Sequence, residues 1–152
     1  MADFRVLARA HGFIKLAEVL LAAVCLGLIR HYDLHFGGDI TTGSYQDRYL
    51  CGIITIGGFI LVSLPLLLSY IWGEAGTYQT LLEMIYNFTG MVLFLTAGSL
   101  ALDYYNSYKA TGGSPDAGKA LGALCIINGF FYLTDTVLAV RHSYATVEQS
   151  FT

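Results

Sequence analysis

Four long apolar runs constrain this chain more than any other feature. They lie at about Gly12–Ile29, Leu50–Trp72, Thr80–Leu102 and Lys119–Val140, and each is 18–23 residues long. A helix needs about 20 residues to cross the ~30 Å hydrocarbon core of a bilayer. In lipid every backbone donor and acceptor must be satisfied within its own segment, so each run predicts a membrane-spanning helix. Barrel strands would read as short alternating segments, whereas LLAAVCLGLI (20–29) and ILVSLPLLLSYIW (60–72) are continuous. The expected fold is all-α: an integral membrane four-helix bundle, up-down-up-down with short loops, forming one four-span domain over residues 1–152. The connections of 20, 7 and 16 residues leave no room for an extramembrane domain.

Composition agrees. Charged residues are 12% of the chain, about half the usual share for soluble domains. That argues against a soluble enzyme. Eight Lys and Arg against eleven Asp and Glu give a net charge of -3, which excludes a nucleic-acid partner held by a basic face.

The N-terminal MADFRVLARAHGFIK is basic, as a signal peptide would be. Glu18 interrupts the apolar run that follows, and no small-x-small cleavage site follows Ile29, so the segment is expected to be a retained signal-anchor helix. The Lys/Arg count ties between the two sides. Arg5, Arg9, Lys15 and Arg141 lie on the side of the termini, and Arg30, Arg48, Lys109 and Lys119 on the other. The first helix dominates orientation, and its upstream Arg5 and Arg9 predict cytoplasmic termini.

Charges inside spans need a reason. Lys15 and Glu18 are spaced i,i+3 and share a face. Glu83 opens the third span and Asp135 closes the fourth. Alternating span directions bring all four to one membrane face. The expectation is an interfacial salt-bridge cluster whose members snorkel to the helix ends; the rival reading is a proton or ion site. Small and polar stripes run along the third span (Glu83, Asn87, Gly90, Ala97, Ala101) and the fourth (Gly118, Gly122, Cys125, Asn128, Tyr132, Asp135). Such stripes let helices approach closely in lipid. Packing within the bundle is the first reading, and a lateral oligomer seam through Gly118 and Gly122 the second. Pro65 removes a backbone donor and predicts a bend in the second span that shapes the packing.

Most chemical motifs fail. In HYDLHFGGD (31–39), His31, Asp33 and His35 would share a face in an extended strand, making them the lesser candidates for a metal. Closed metal sites need four defined ligands, so a polar outer loop is the plainer reading. Cys25 and Cys125 fall inside spans and Cys51 at a span edge, with no CxxC and no outer-loop pair. The sequon Asn87-Phe88-Thr89 lies within a span. ATGGSPDAGK (110–119) reads as a flexible loop tip. No nucleophile–base pair, phosphate loop or dinucleotide fingerprint is present, so neither catalysis nor a cofactor is expected.

GFIKLAEVLLAAVCLGLIR (12–30) resembles the first helix of MARVEL-type four-span proteins, which pair a charged or polar helix start with an aliphatic-Ala run. The short 73–79 turn, two modest outer loops and small total length also look like that class. FYLTDTVLAVR (131–141) looks similar to small insect four-span proteins of the snakeskin type, from smooth septate junctions. Claudins carry Trp and paired Cys in the first outer loop, and tetraspanins a large Cys-rich second one; neither pattern is here. The resemblance implies a non-catalytic protein organising membrane contacts or cell junctions, with no catalytic residues to carry over. Its implied partners are membrane lipids and other membrane proteins, as a homo-oligomer or junction complex at the plasma membrane. Tyr104, Tyr105 and Tyr108 are the outer-loop contact candidates, with a headgroup-anchored aromatic belt as their plainer role. The alternative is an accessory subunit of a channel or transporter, or a small transporter, resting on Lys15, Glu18, Glu83 and Asp135.

Overall fold

The computed structural model describes residues 10–72, 81–107 and 114–150, with side chains for 12–69, 71–72, 81–107 and 114–141. The 73–79 turn and Tyr108 lie outside the described residues. Four helices account for nearly all of the described chain: α1 (Ala10–Tyr32), α2 (Ser44–Ile71), α3 (Leu81–Asn106) and α4 (Pro115–Ser150). All four are long and apolar enough to cross a membrane.

The helices outrun their apolar runs because capping, not hydropathy, sets their ends. α1 continues through His31 and Tyr32 and stops where Leu34 N–H bonds back to Ile29 O at 3.1 Å. Asp33 between them takes a φ of 49°. That is the left-handed end residue of a Schellman motif, with its usual apolar contact supplied by buried Leu34 and Ile29. At α2, the Gly43 carbonyl accepts the Asp47 N–H at 3.4 Å, and Asp47 places an acid in the first turn. α4 starts with Ser114 and Pro115, where Ser114 O accepts the Gly118 N–H at 2.9 Å. Proline is well suited to that first helical position. The expected first outer loop of residues 30–49 therefore shrinks to 33–43, and the part of the expected flexible tip from Pro115 onward is helix. The strand that the lesser, metal-binding reading required is absent too: His31 is helical and Asp33 sits in the turn, so His31, Asp33 and His35 share no strand face.

The helices form a ring. α1 packs on α2 and α4, α2 on α3, and α3 most extensively on α4. Among the described residues the backbones of the two diagonal pairs, α1 with α3 and α2 with α4, make no close approach. The α3–α4 contact is close because it is built on glycine. A Cβ at Gly98 would stand 2.8 Å from Gly122 O, and one at Gly122 would stand 3.0 Å from Gly98 O. Pro65 lies on the exposed face of α2, which continues unbroken through it. Its expected place in the helix packing is thus corrected, since its ring faces away from the bundle.

Candidate functional site

At one end of the bundle the spans' charged residues meet inside the ring. Lys15 and Glu18 are fully buried, and Asp135 is 1% exposed. The Lys15 ammonium lies 3.0 Å from Glu18 Oε2 and 2.8 Å from Asp135 Oδ2. It also donates to Asn87 Oδ1 at 2.6 Å. These three acceptors match the three donors of an ammonium. Asn87 Nδ2 donates in turn to Asp135 Oδ2 at 2.8 Å. The expected snorkelling does not occur, because an ammonium extended to the membrane surface would forfeit three charge-assisted or interhelical bonds. The Lys15 ammonium also lies 5.3 Å from the Tyr132 ring centroid and 5.7 Å from that of Tyr86, within cation–π range. Glu83, also buried, stands within the electrostatic field of Glu18.

Polar side chains close both diagonals of the ring. Lys15 reaches Asn87 across α1 and α3. Ser63 Oγ meets the Tyr132 hydroxyl across α2 and α4 at 2.9 Å. Ser63 also meets the Tyr86 hydroxyl at 3.1 Å, and Tyr86 donates to Phe59 O. Ser63 and Tyr86 have no place in the polar stripes read from the sequence. The available signal was a hydroxyl buried in the apolar run of the second span and a tyrosine beside Asn87. Next to this network Phe94 stacks on Tyr132 and Phe59 meets both rings edge-on, at centroid distances of 5.3–5.6 Å. Gly90 gives them room, since a Cβ there would lie 2.7 Å from Phe59 and 2.9 Å from Tyr132.

Asn128 Nδ2 reaches Glu18 O at 3.4 Å, tying α4 to α1. Glu18 Oε1 and Asn128 Oδ1 are buried with no hydrogen-bond partner among the described residues. The layer beyond, toward the far end, is built from Ala22, Cys25, Phe94, Ala97, Leu121 and Cys125. Cys25 and Cys125 are free thiols with their sulfurs 3.9 Å apart.

The other end is held differently. The 33–43 connection is pinned by Leu34 and Phe36, both fully buried. Phe36 fills the hollow over Gly52, where a Cβ would collide with its ring. Tyr105 is 3% exposed, and its hydroxyl accepts the His35 N–H at 2.9 Å. The Tyr105 ring lies flush on Gly118, which leaves no space for a side chain there. The contact roles expected of these tyrosines therefore need correction. Tyr105 is an internal brace, and half-buried Tyr104 packs over Gly37. Gly118 and Gly122 likewise face α3 inside the bundle, so a lateral seam through them is corrected. The exposed tip is ordered locally. Asp39 Oδ1 accepts the Thr41 N–H at 2.9 Å, and Ser44 Oγ accepts the Asp39 N–H at 2.8 Å. Thr41 holds the Asp39 carboxyl below the usual carboxylate range. His35 Nδ1 lies 2.8 Å from the Tyr45 hydroxyl. Among the described residues no group of three His, Cys, Asp or Glu side chains is arranged to hold a metal.

The sequence has relatives among known proteins. Residues 6–138 match the MARVEL family, described as a membrane-associating domain. The chain belongs to the MARVEL family. A relative called Protein snakeskin from Bombyx mori is 33% identical over 141 residues, covering 85% of this chain and 90% of its own. Protein snakeskin from Drosophila melanogaster is 28% identical over 142 residues, covering 86% of this chain and 88% of its own. No solved structure matches. The MARVEL match and the four apolar helices together make this an integral membrane protein. The match spans the whole buried cluster from Lys15 to Asp135, whereas the last turns of α4 extend beyond it.

Proposed function

We propose that this MARVEL protein is a non-catalytic organiser of membrane contacts, acting as a structural component of cell–cell junctions in the plasma membrane. One observation carries most of the weight: polar side chains lock both diagonals of the helix ring, and an apolar layer lies between its two ends. A scaffold needs such rigidity; a conducting path would need polar groups through that layer. The relatedness to snakeskin proteins, whose type the sequence already resembles, favours the junction. In this reading the termini are cytoplasmic, the helices alternate in direction, and the braced 33–43 loop faces the neighbouring cell. Lys15, Glu18, Glu83, Asn87 and Asp135 set helix register rather than move ions, in keeping with the best-attested use of buried polar groups. The partners are membrane lipids and other membrane proteins, including further copies of this chain.

The test is localisation of the endogenous protein in a polarised epithelium. Concentration at lateral contacts is expected; a vesicular or purely apical pattern overturns the junction role. The second reading, an accessory subunit or small transporter, draws on two buried acceptors, Glu18 Oε1 and Asn128 Oδ1, that have no hydrogen-bond partner among the described residues. Proteoliposome flux above background would favour it over the scaffold.

A further inference from the structure

A cleft of about 130 Å³ opens between the end of α1 and the start of α2. Leu26, Ile29 and Ile53 form its apolar wall, Tyr49 its side, and Arg30 and Asp33 its charged members. Ile29 is buried and the Leu26 side chain is exposed beside it, so the wall is continuous with the lipid-facing surface. Arg30 and Asp33 lie at the end of the first membrane-spanning segment, which closes at Tyr32. Headgroups sit at that level.

The two charges are three residues apart, yet they form no ion pair with each other. Neither makes a side-chain ion pair or hydrogen bond within the described residues. Asp33 is also held in an unfavourable place. It occupies the left-handed position of the Schellman stop at φ 49°, which glycine fills most readily and which Asp and Asn adopt more easily than other side chains. A positive and a negative group, neither in an ion pair among the described residues, flank one apolar-walled cleft at headgroup depth. That pattern complements a zwitterion rather than an ion of either sign. The guanidinium can bind phosphate oxygens in a fork, and the carboxylate can accept from an ammonium.

We propose that this cleft is a lipid site for a zwitterionic amine phospholipid, with its phosphate on Arg30 and its ammonium on Asp33. The upper part of one acyl chain lies along Leu26, Ile29 and Ile53. Asp33 repels a purely anionic headgroup, so the site selects among lipids as well as binding them. It is independent of the junction reading and stands whatever the protein's cellular address.

The test is native mass spectrometry of the full-length protein from nanodiscs holding equal phosphatidylethanolamine, phosphatidylcholine and phosphatidylglycerol with matched acyl chains. One retained lipid is expected, with either zwitterion favoured over phosphatidylglycerol by about fivefold, the ratio one such exposed charge contact supplies. Phosphatidylethanolamine above phosphatidylcholine supports a hydrogen-bonding ammonium, and equal retention supports a charge contact alone. Phosphatidylglycerol retained equally or better overturns the proposal. Asp33→Gly separates binding from folding, because glycine relieves the backbone. Its thermal stability should hold or rise while the headgroup preference falls to none. A preference that survives Asp33→Gly, or retention of all three lipids unchanged in Arg30→Gln, overturns the site.

Discussion

The two ends of the bundle solve the same packing problem with opposite chemistry. At the Lys15 end, three helices (α1, α3 and α4) meet around an ammonium whose donors are all engaged. At the Tyr105 end, rings fill hollows over glycine, and a loop is held by one hydroxyl accepting a backbone N–H. The first arrangement depends on charge balance and the second on shape. A buried charge that loses its partner is penalised far more than a ring that loses contact area, because the surviving carboxylates have no solvent to turn to. The charged end should therefore be brittle and the aromatic end graded.

The hardest test of that contrast is Lys15→Met. It leaves Glu18 and Asp135 buried without their cation, and a loss of about 3–5 kcal/mol is expected, read as a collapse of folded protein in detergent unfolding. A mild loss would erase the distinction between the ends. Phe36→Ala comes next, at about 3 kcal/mol. Its effect should stay local, with amide exchange rising over residues 34–43 while the helices remain protected. Tyr105→Phe removes only the acceptor for the His35 N–H and should cost about 1 kcal/mol, seen as faster exchange at that one amide. Ser63→Ala breaks the α2–α4 diagonal but leaves Lys15 intact, so about 0.6 kcal/mol is expected. A larger value would mean that the hydroxyl chain and the ion cluster act as one unit. The smallest effect is the pH response of the loop tip. The Asp39 carboxyl is held low by its bond from Thr41, so its contribution is present above the ordinary carboxylate value of about 3.9 and is lost as pH falls through the lowered one. Protection of the Thr41 amide, corrected for intrinsic exchange, should be the same at pH 7 and pH 5. It should fall only in stronger acid.

Much of the charged end was legible from the sequence. Lys15, Glu18 and Asp135 are costly in lipid, and the expectation of alternating spans already placed them at one level. Their depth was not legible, because distance from a helix end says nothing about whether three acceptors wait inside. Ser63 and Tyr86 escaped because hydroxyls in apolar runs carry no periodic mark. The aromatic end was misjudged. Tyr104 and Tyr105 follow the hydrophobic run closely enough to look like loop residues, and only the extension of α3 to Asn106 turns Tyr105 inward. Phe36 seated on Gly52 joins residues from a loop and a helix, a pairing that no local spacing announces.

The inward-turned ammonium also bears on how the chain is made. Lys15 emerges with the first helix, but Asn87 and Asp135 follow only with the third and fourth. At ordinary elongation rates that interval is on the order of ten seconds. During it the new helix carries just one counter-ion, Glu18, one turn along its own surface. The first span is therefore a poor lipid resident until the last has been synthesised. A product truncated before Asp135 keeps the Lys15–Glu18 pair but leaves the buried ammonium short of one of its three acceptors.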